Sequence, residues 1–86
     1  MKVRFHRNFE KQYKKLKEAQ KTRVQERLVL FLNNPFHPIL ANHPLKGKYK
    51  GYRSINITGD LRAVYKFINE NDSIFVAIDT HSNLYS

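Results

Sequence analysis

Apolar and polar positions change their period once along this chain, from helical in the first half to alternating in the second. Residues 2–6 set Val3 and Phe5 against Lys2, Arg4 and His6, which predicts a short edge strand. From Asn8, a good N-cap, Phe9, Tyr13 and Leu16 recur at helical spacing between lysines, predicting an amphipathic helix that ends near Ala19. Thr22 followed three residues later by Gln25 has the form of a capping box, and Val24, Leu28, Phe31 and Leu32 mark one face of a second helix that stops at Asn33-Asn34-Pro35. The two helices must form an antiparallel hairpin or one bent rod.

Residues 35–47 hold all three prolines and read as a surface loop. Alternation then predicts strands over residues 49–57, 61–68 and 73–80, joined by turns at Thr58-Gly59 and residues 69–72. Such short turns make these strands antiparallel. The expected fold is α+β, a single domain over residues 1–86 in which two N-terminal helices pack on a curved antiparallel sheet of three to four strands, in the order β-α-α-β-β-β. An even turn at Thr58-Gly59 would put Arg53, Ile55, Asp60, Arg62 and Val64 on one face, and Tyr52, Ser54, Asn56, Leu61, Ala63, Tyr65 and Phe67 on the other. The second set is the more apolar and is expected to meet the helices, leaving Arg53 and Arg62 as a phosphate clamp on the open face. A bulge in the turn would reverse this relation. Tyr13, Phe31 and Phe67 are expected in the core.

Charge adds a partner class to this picture. The formal net charge is +9, from 16 basic and 7 acidic side chains. It is concentrated in residues 1–27 and 46–66, a pattern that favours nucleic acid ahead of an anionic surface or an acidic protein. With no cysteine, disulfides, zinc-thiolate sites and thiol nucleophiles are all excluded. No apolar run is long enough to span a bilayer, and the first residues lack the apolar centre of a signal peptide, so the expectation is a soluble cytoplasmic protein that does not engage a membrane. The four histidines show no metal-ligand spacing, and neither a metal nor a cofactor is expected. His6 and His37 read as structural. The lysines at 11, 14, 15, 17 and 21 read most simply as a solvated helix face, or else as a grip on ribosomal RNA.

Chemistry is densest at residues 43–62, HPLKGKYKGYRSINITGDLR, with the ending THSNLY at 80–85 as the best candidate to complete a site. Interleaved cations and rings suit a phosphate-rich ligand that offers bases for stacking. These two blocks, with the weaker helical match at Phe9 to Leu16, resemble the RelE/ParE superfamily of bacterial toxins, and within it the YafQ-like branch. The resemblance spans nearly the whole chain. It implies a ribosome-dependent mRNA endoribonuclease of a type II toxin-antitoxin system, acting without metal on mRNA at the ribosome. It also implies a cognate antitoxin, with operator DNA bound only indirectly through that antitoxin.

Carried over, the resemblance makes His81 the general acid, Asp60 or His43 the base, and Arg53 and Arg62 phosphate stabilisers. Tyr85 would stack on a base or orient His81, and Lys46, Lys48 and Lys50 would contact RNA. Asn56, Leu61 and Ala77 stand where some relatives carry histidine, tryptophan and arginine; Arg62 would supply the missing cation. Metal-free RNA cleavage needs only a base for the 2′-hydroxyl, cations for the phosphorane and an acid for the leaving 5′-oxygen. The ParE-like branch, which binds DNA gyrase without being an enzyme, and a passive RNA-binding module are the alternatives.

Overall fold

A computed structural model describes residues 1–85. The chain begins with strand β1 (Lys2–Phe5), followed by helices α1 (Arg7–Lys14) and α2 (Glu18–Asn33). Strands β2 (His43–Pro44), β3 (Arg53–Asn56), β4 (Leu61–Phe67) and β5 (Asp72–Thr80) follow, and the helix α3 (His81–Tyr85) ends the described chain.

The helix boundaries differ from the pattern-based ones for local reasons. α1 is capped by His6, whose Nδ1 accepts the Asn8 N–H at 3.0 Å, so Asn8 lies inside the helix and not at its cap. α1 stops at Lys14, and α2 begins with the Gln20 side chain accepting the Lys17 N–H at 3.0 Å. That contact takes the place expected for Thr22, whose hydroxyl instead donates to the Glu18 carbonyl at 3.1 Å from within α2. The break lets the stripes Phe9/Tyr13/Leu16 and Val24/Leu28/Phe31 face the same core.

The five strands lie in the order β1-β5-β4-β3-β2. β1 pairs with β5 in parallel, and the other pairs are antiparallel. The additional strand, β2, falls in the stretch read as loop. Pro44 is tolerated there because β2 is an edge and needs no inner N–H. Residues 45–52 form an excursion between β2 and β3, closed by the Leu45 N–H donating to the Tyr52 carbonyl at 2.9 Å. Gly47 (φ 66°) and Gly51 (φ 91°) supply the left-handed backbone that this excursion requires.

The β3–β4 connection corrects the register. The Ile57 N–H donates to the Leu61 carbonyl at 2.9 Å, which leaves Thr58, Gly59 and Asp60 as an odd loop. Arg53 then sits opposite Tyr65, Ile55 opposite Ala63, and Asn56 opposite Arg62. Arg53 and Arg62 therefore point to opposite faces, and the expected clamp does not form. Ile55, Ala63, Tyr65, Phe75 and Ile78 meet Phe9, Val24, Phe31 and Leu40 in the main core. Phe31 stands edge-on to both Tyr65 and Phe75, at 4.8 and 5.2 Å. Phe67, expected in this core, is instead 37% exposed beside Phe36.

A second cluster, Val64, Ala77 and Leu84 with Leu45, Tyr49, Tyr52 and Val76 at its rim, covers the opposite face. A bulge between Val64 and Tyr65 leaves Val76 unpaired within β5, and Val76 packs with this second cluster. α3 closes over that face through the buried Leu84. The second face of the sheet is thus built by the chain's last helix.

Candidate functional site

α3 is short, and its start is heavily tied. The Thr80 hydroxyl oxygen accepts the Asn83 N–H at 3.2 Å. Asp79 Oδ1 accepts both the Thr80 N–H (2.7 Å) and the Asn83 side-chain amide (3.1 Å). The His81 N–H donates to the Asp60 carbonyl at 3.0 Å, so the tail histidine is fastened to the β3–β4 turn. Arg62 grips the same turn from the other side: its Nη1 donates to the carbonyls of Thr58 (2.9 Å) and Gly59 (3.0 Å). Thr58 Oγ1 also accepts the Leu61 N–H at 3.0 Å. Asp60, Arg62 and His81 are therefore brought to one end of the sheet by backbone contacts.

Rings extend away from this point. His81 and Tyr85, one helical turn apart, lie 4.8 Å centre to centre; Tyr85 meets Tyr49 at 6.4 Å, and Tyr49 meets Tyr52 at 6.1 Å. The Lys48 ammonium stands 5.4 Å from the Tyr49 ring and that of Lys66 5.2 Å from Tyr52. His81 and Tyr85 are both exposed. The result is a row of aromatic edges and faces flanked by cations, with Lys46 and Lys50 exposed on the same excursion.

The remaining candidates lie elsewhere. His43 is exposed on β2, its Nδ1 2.9 Å from the Ala41 carbonyl, and it pairs with Ser54. Two strand spacings and four residues along β4 separate it from Asp60, roughly 16 Å between backbones. Arg53 is on the helix side: its Nε donates to Asn42 Oδ1 at 2.7 Å and its guanidinium lies 5.3 Å from the Phe36 ring. Asn42 in turn donates to the Tyr65 hydroxyl at 2.6 Å. Burial pushes the Tyr65 hydroxyl above its ordinary pKa, and the Asn42 bond and Arg53 charge offset part of that rise. Arg53 thus serves a structural polar network.

Three positions where the resemblance expected other residues are informative. Leu61 belongs to the main core, and Ala77 is 2% exposed beneath Leu84, so an arginine at 77 has no room here. Asn56 faces the same side as Arg62. Sequence reasoning missed Tyr49, Tyr52 and Lys66 as parts of the site; Tyr52 was expected against the helices. The interleaving KYKGY was the available signal. His6 and His37, read as structural, each accept a backbone N–H, from Asn8 and Ile39.

Charge pairing is sparse. Among the described residues, only Lys21 with Glu18 (3.5 Å) and Arg23 with Glu26 (3.7 Å) form ion pairs. No helix of the described residues is long and apolar enough to cross a membrane.

Comparison with known proteins agrees with this fold. A family model described as bacterial toxin of type II toxin-antitoxin system, YafQ, matches residues 1–86. No match is found among curated proteins. Among solved structures, YafQ from E. coli strain BL21(DE3) is 25% identical, with a TM-score of 0.78 over 98% of this chain and 97% of that one. A chain of the E. coli DinJ-YafQ toxin-antitoxin complex is 25% identical, with a TM-score of 0.75 over 98% of this chain and 96% of its own. A YoeB/ParE toxin from Agrobacterium tumefaciens, 22% identical, shares the fold with a TM-score of 0.77 over 94% of this chain and 99% of its own. With its full length matched and its fold shared, this chain belongs to the YafQ family of bacterial type II toxin-antitoxin toxins.

Proposed function

We propose that the protein is a ribosome-dependent mRNA endoribonuclease that cleaves without a metal ion, by acid/base chemistry at the β3–β4 turn and the start of α3. The observation that carries this reading is the backbone bond from His81 to Asp60, with Arg62 folded over the same turn. Asp60 takes the proton from a 2′-hydroxyl, whose oxygen attacks the adjacent phosphorus. Arg62 stabilises the charge that builds on the phosphorane oxygens, and His81 protonates the departing 5′-oxygen. The products are a 2′,3′-cyclic phosphate and a 5′-hydroxyl end. RNA is selected because DNA lacks the attacking hydroxyl.

Asp60 is preferred to His43 as base because His43 lies two strands away at the rim. His43 then contacts RNA beside the exposed Lys46 and Lys50, while Tyr85, Tyr49 and Tyr52 offer stacking surfaces. Work on translating ribosomes implies a cytoplasmic site of action. A cognate antitoxin neutralises the toxin, by analogy with E. coli YafQ, which is found in complex with DinJ. The test is His81→Ala: the variant should keep the parent's fold and unfolding midpoint and lose cleavage of mRNA on translating ribosomes. Undiminished cutting would remove His81 from the chemistry.

A further inference from the structure

Beyond the turn that holds Asp60, a polar pocket of about 200 Å³ opens between α2 and the far side of the β3–β4 connection. Arg23, Arg27, Asn56, Thr58 and Gly59 line it. Arg23 and Arg27 are four residues apart on α2, so they share a helix face and repel each other. Arg27 is half-buried, with its Nε donating to the Ile57 carbonyl at 3.4 Å. Among the described residues it has no carboxylate partner. The Arg23–Glu26 contact, 3.7 Å between side chains that are 46% and 60% exposed, offsets little of this repulsion. Two guanidinium groups thus converge on a polar hollow with no carboxylate among its described lining residues.

We propose that this pocket binds a phosphodiester of single-stranded RNA, as a subsite for the strand that leaves the reaction centre. The inference rests on the reading of the protein as an RNA-cleaving toxin. Continuity supports it: the pocket is lined by Thr58 and Gly59, the same two residues whose carbonyls accept from Arg62. A strand that runs from Arg62 across this turn reaches the pocket that Arg27 and Arg23 line. Gly59 leaves the crossing unobstructed, with nothing within 4 Å of where a Cβ would stand. Planar guanidinium groups with several donors each match the oxygens of a phosphate.

The test measures binding of a short single-stranded RNA with 2′-O-methyl sugars, which offers no nucleophile, by fluorescence anisotropy over a range of salt concentrations. The Arg23→Gln/Arg27→Gln chain should bind more weakly, and its log–log salt slope should be shallower by about 1.4, from two cations at about 0.7 each on a single strand. Should the double variant fail to fold, Arg23→Gln alone should flatten the slope by about 0.7. A Lys2→Gln/Arg4→Gln chain, which loses the same two charges on β1 at the opposite edge of the sheet, should change little by comparison. An unchanged slope, an equal loss in the β1 variant, or weakened binding of polyglutamate alone would overturn the subsite. Cleavage by the parent is read separately. Cutting with an unchanged slope rejects the pocket and spares the nuclease reading, whereas a flattened slope without cutting supports the pocket and rejects the nuclease.

Discussion

Leu84→Ala tests whether the tail that carries His81 is held in place by packing. α3 spans five residues, too few for a helix to persist alone, so its docking depends on tertiary contacts. Leu84 is 3% exposed and is the one α3 side chain in the buried part of the second cluster, against Val64 and Ala77. Truncation removes three carbons; at about 0.8 kcal/mol each this is about 2.4 kcal/mol, or roughly a 50-fold shift of docking toward the released state. Thr80, Asp79 and the His81–Asp60 bond hold only the start of the helix. Because the main core lies on the other face of the sheet, the loss should be local. Amide exchange over residues 81–85 should accelerate by up to that factor, and mRNA cleavage on ribosomes should fall with it, while the strand amides keep their protection. Unchanged exchange in α3 would mean that Leu84 is not its anchor. Faster exchange with full cleavage would separate α3 from catalysis.

Three further outcomes concern the site and its supports. Arg62→Gln should lower cleavage per folded molecule by about 10²–10³-fold, beyond any fall in unfolding midpoint from the lost bonds to the Thr58 and Gly59 carbonyls. Arg53→Gln should lower the midpoint, by loss of the Asn42 bond and the Phe36 contact, and leave cleavage per folded molecule near that of the parent; the opposite pattern would restore Arg53 to the site. For Tyr65, burial raises the folded-state pKa above the unfolded value, so its contribution to stability is whole below about pH 10 and is lost as pH rises through the folded value. Tyr65→Phe should therefore flatten the alkaline loss of stability seen in urea unfolding, at a neutral-pH cost of about 1 kcal/mol for the Asn42 bond. A stability difference between the two chains that does not change with pH would contradict this.

Periodicity reported the fold well where one face of an element is buried. Phe9, Val24 and Phe31 reach the core as their spacing implies, and the strands after residue 60 lie close to their expected bounds. What escaped was set by contacts between segments distant in sequence. β2 exists because His43 and Pro44 find Ser54 and Arg53, a pairing not written in local alternation; β1 was expected from its own alternation, but its parallel pairing with β5 was not. The β3–β4 register turned on a single residue, since including Asp60 in the turn exchanges the two faces of β3 relative to β4. That one residue separates Arg53 from Arg62.

The candidate site divides in the same way. Asp60, Arg62, His81 and Tyr85 were legible from motif resemblance, and the fold gathers them at one end of the sheet. Tyr49 and Tyr52 were not placed, because their orientation depends on an excursion closed by Gly47, Gly51 and the Leu45–Tyr52 bond and not on strand alternation. Arg23 and Arg27 were counted only as charge. Their meeting with the β3–β4 turn is a product of α2 packing on the sheet.

Whether His81 acts on RNA held at this turn is decided by mapping RNA ends in cells that make the parent chain or its His81→Ala variant. Codon-phased cuts in translated messages are expected with the parent and none with the variant. Intact messages accompanied by gyrase-linked DNA breaks, or the same cuts from both chains, would contradict this expectation.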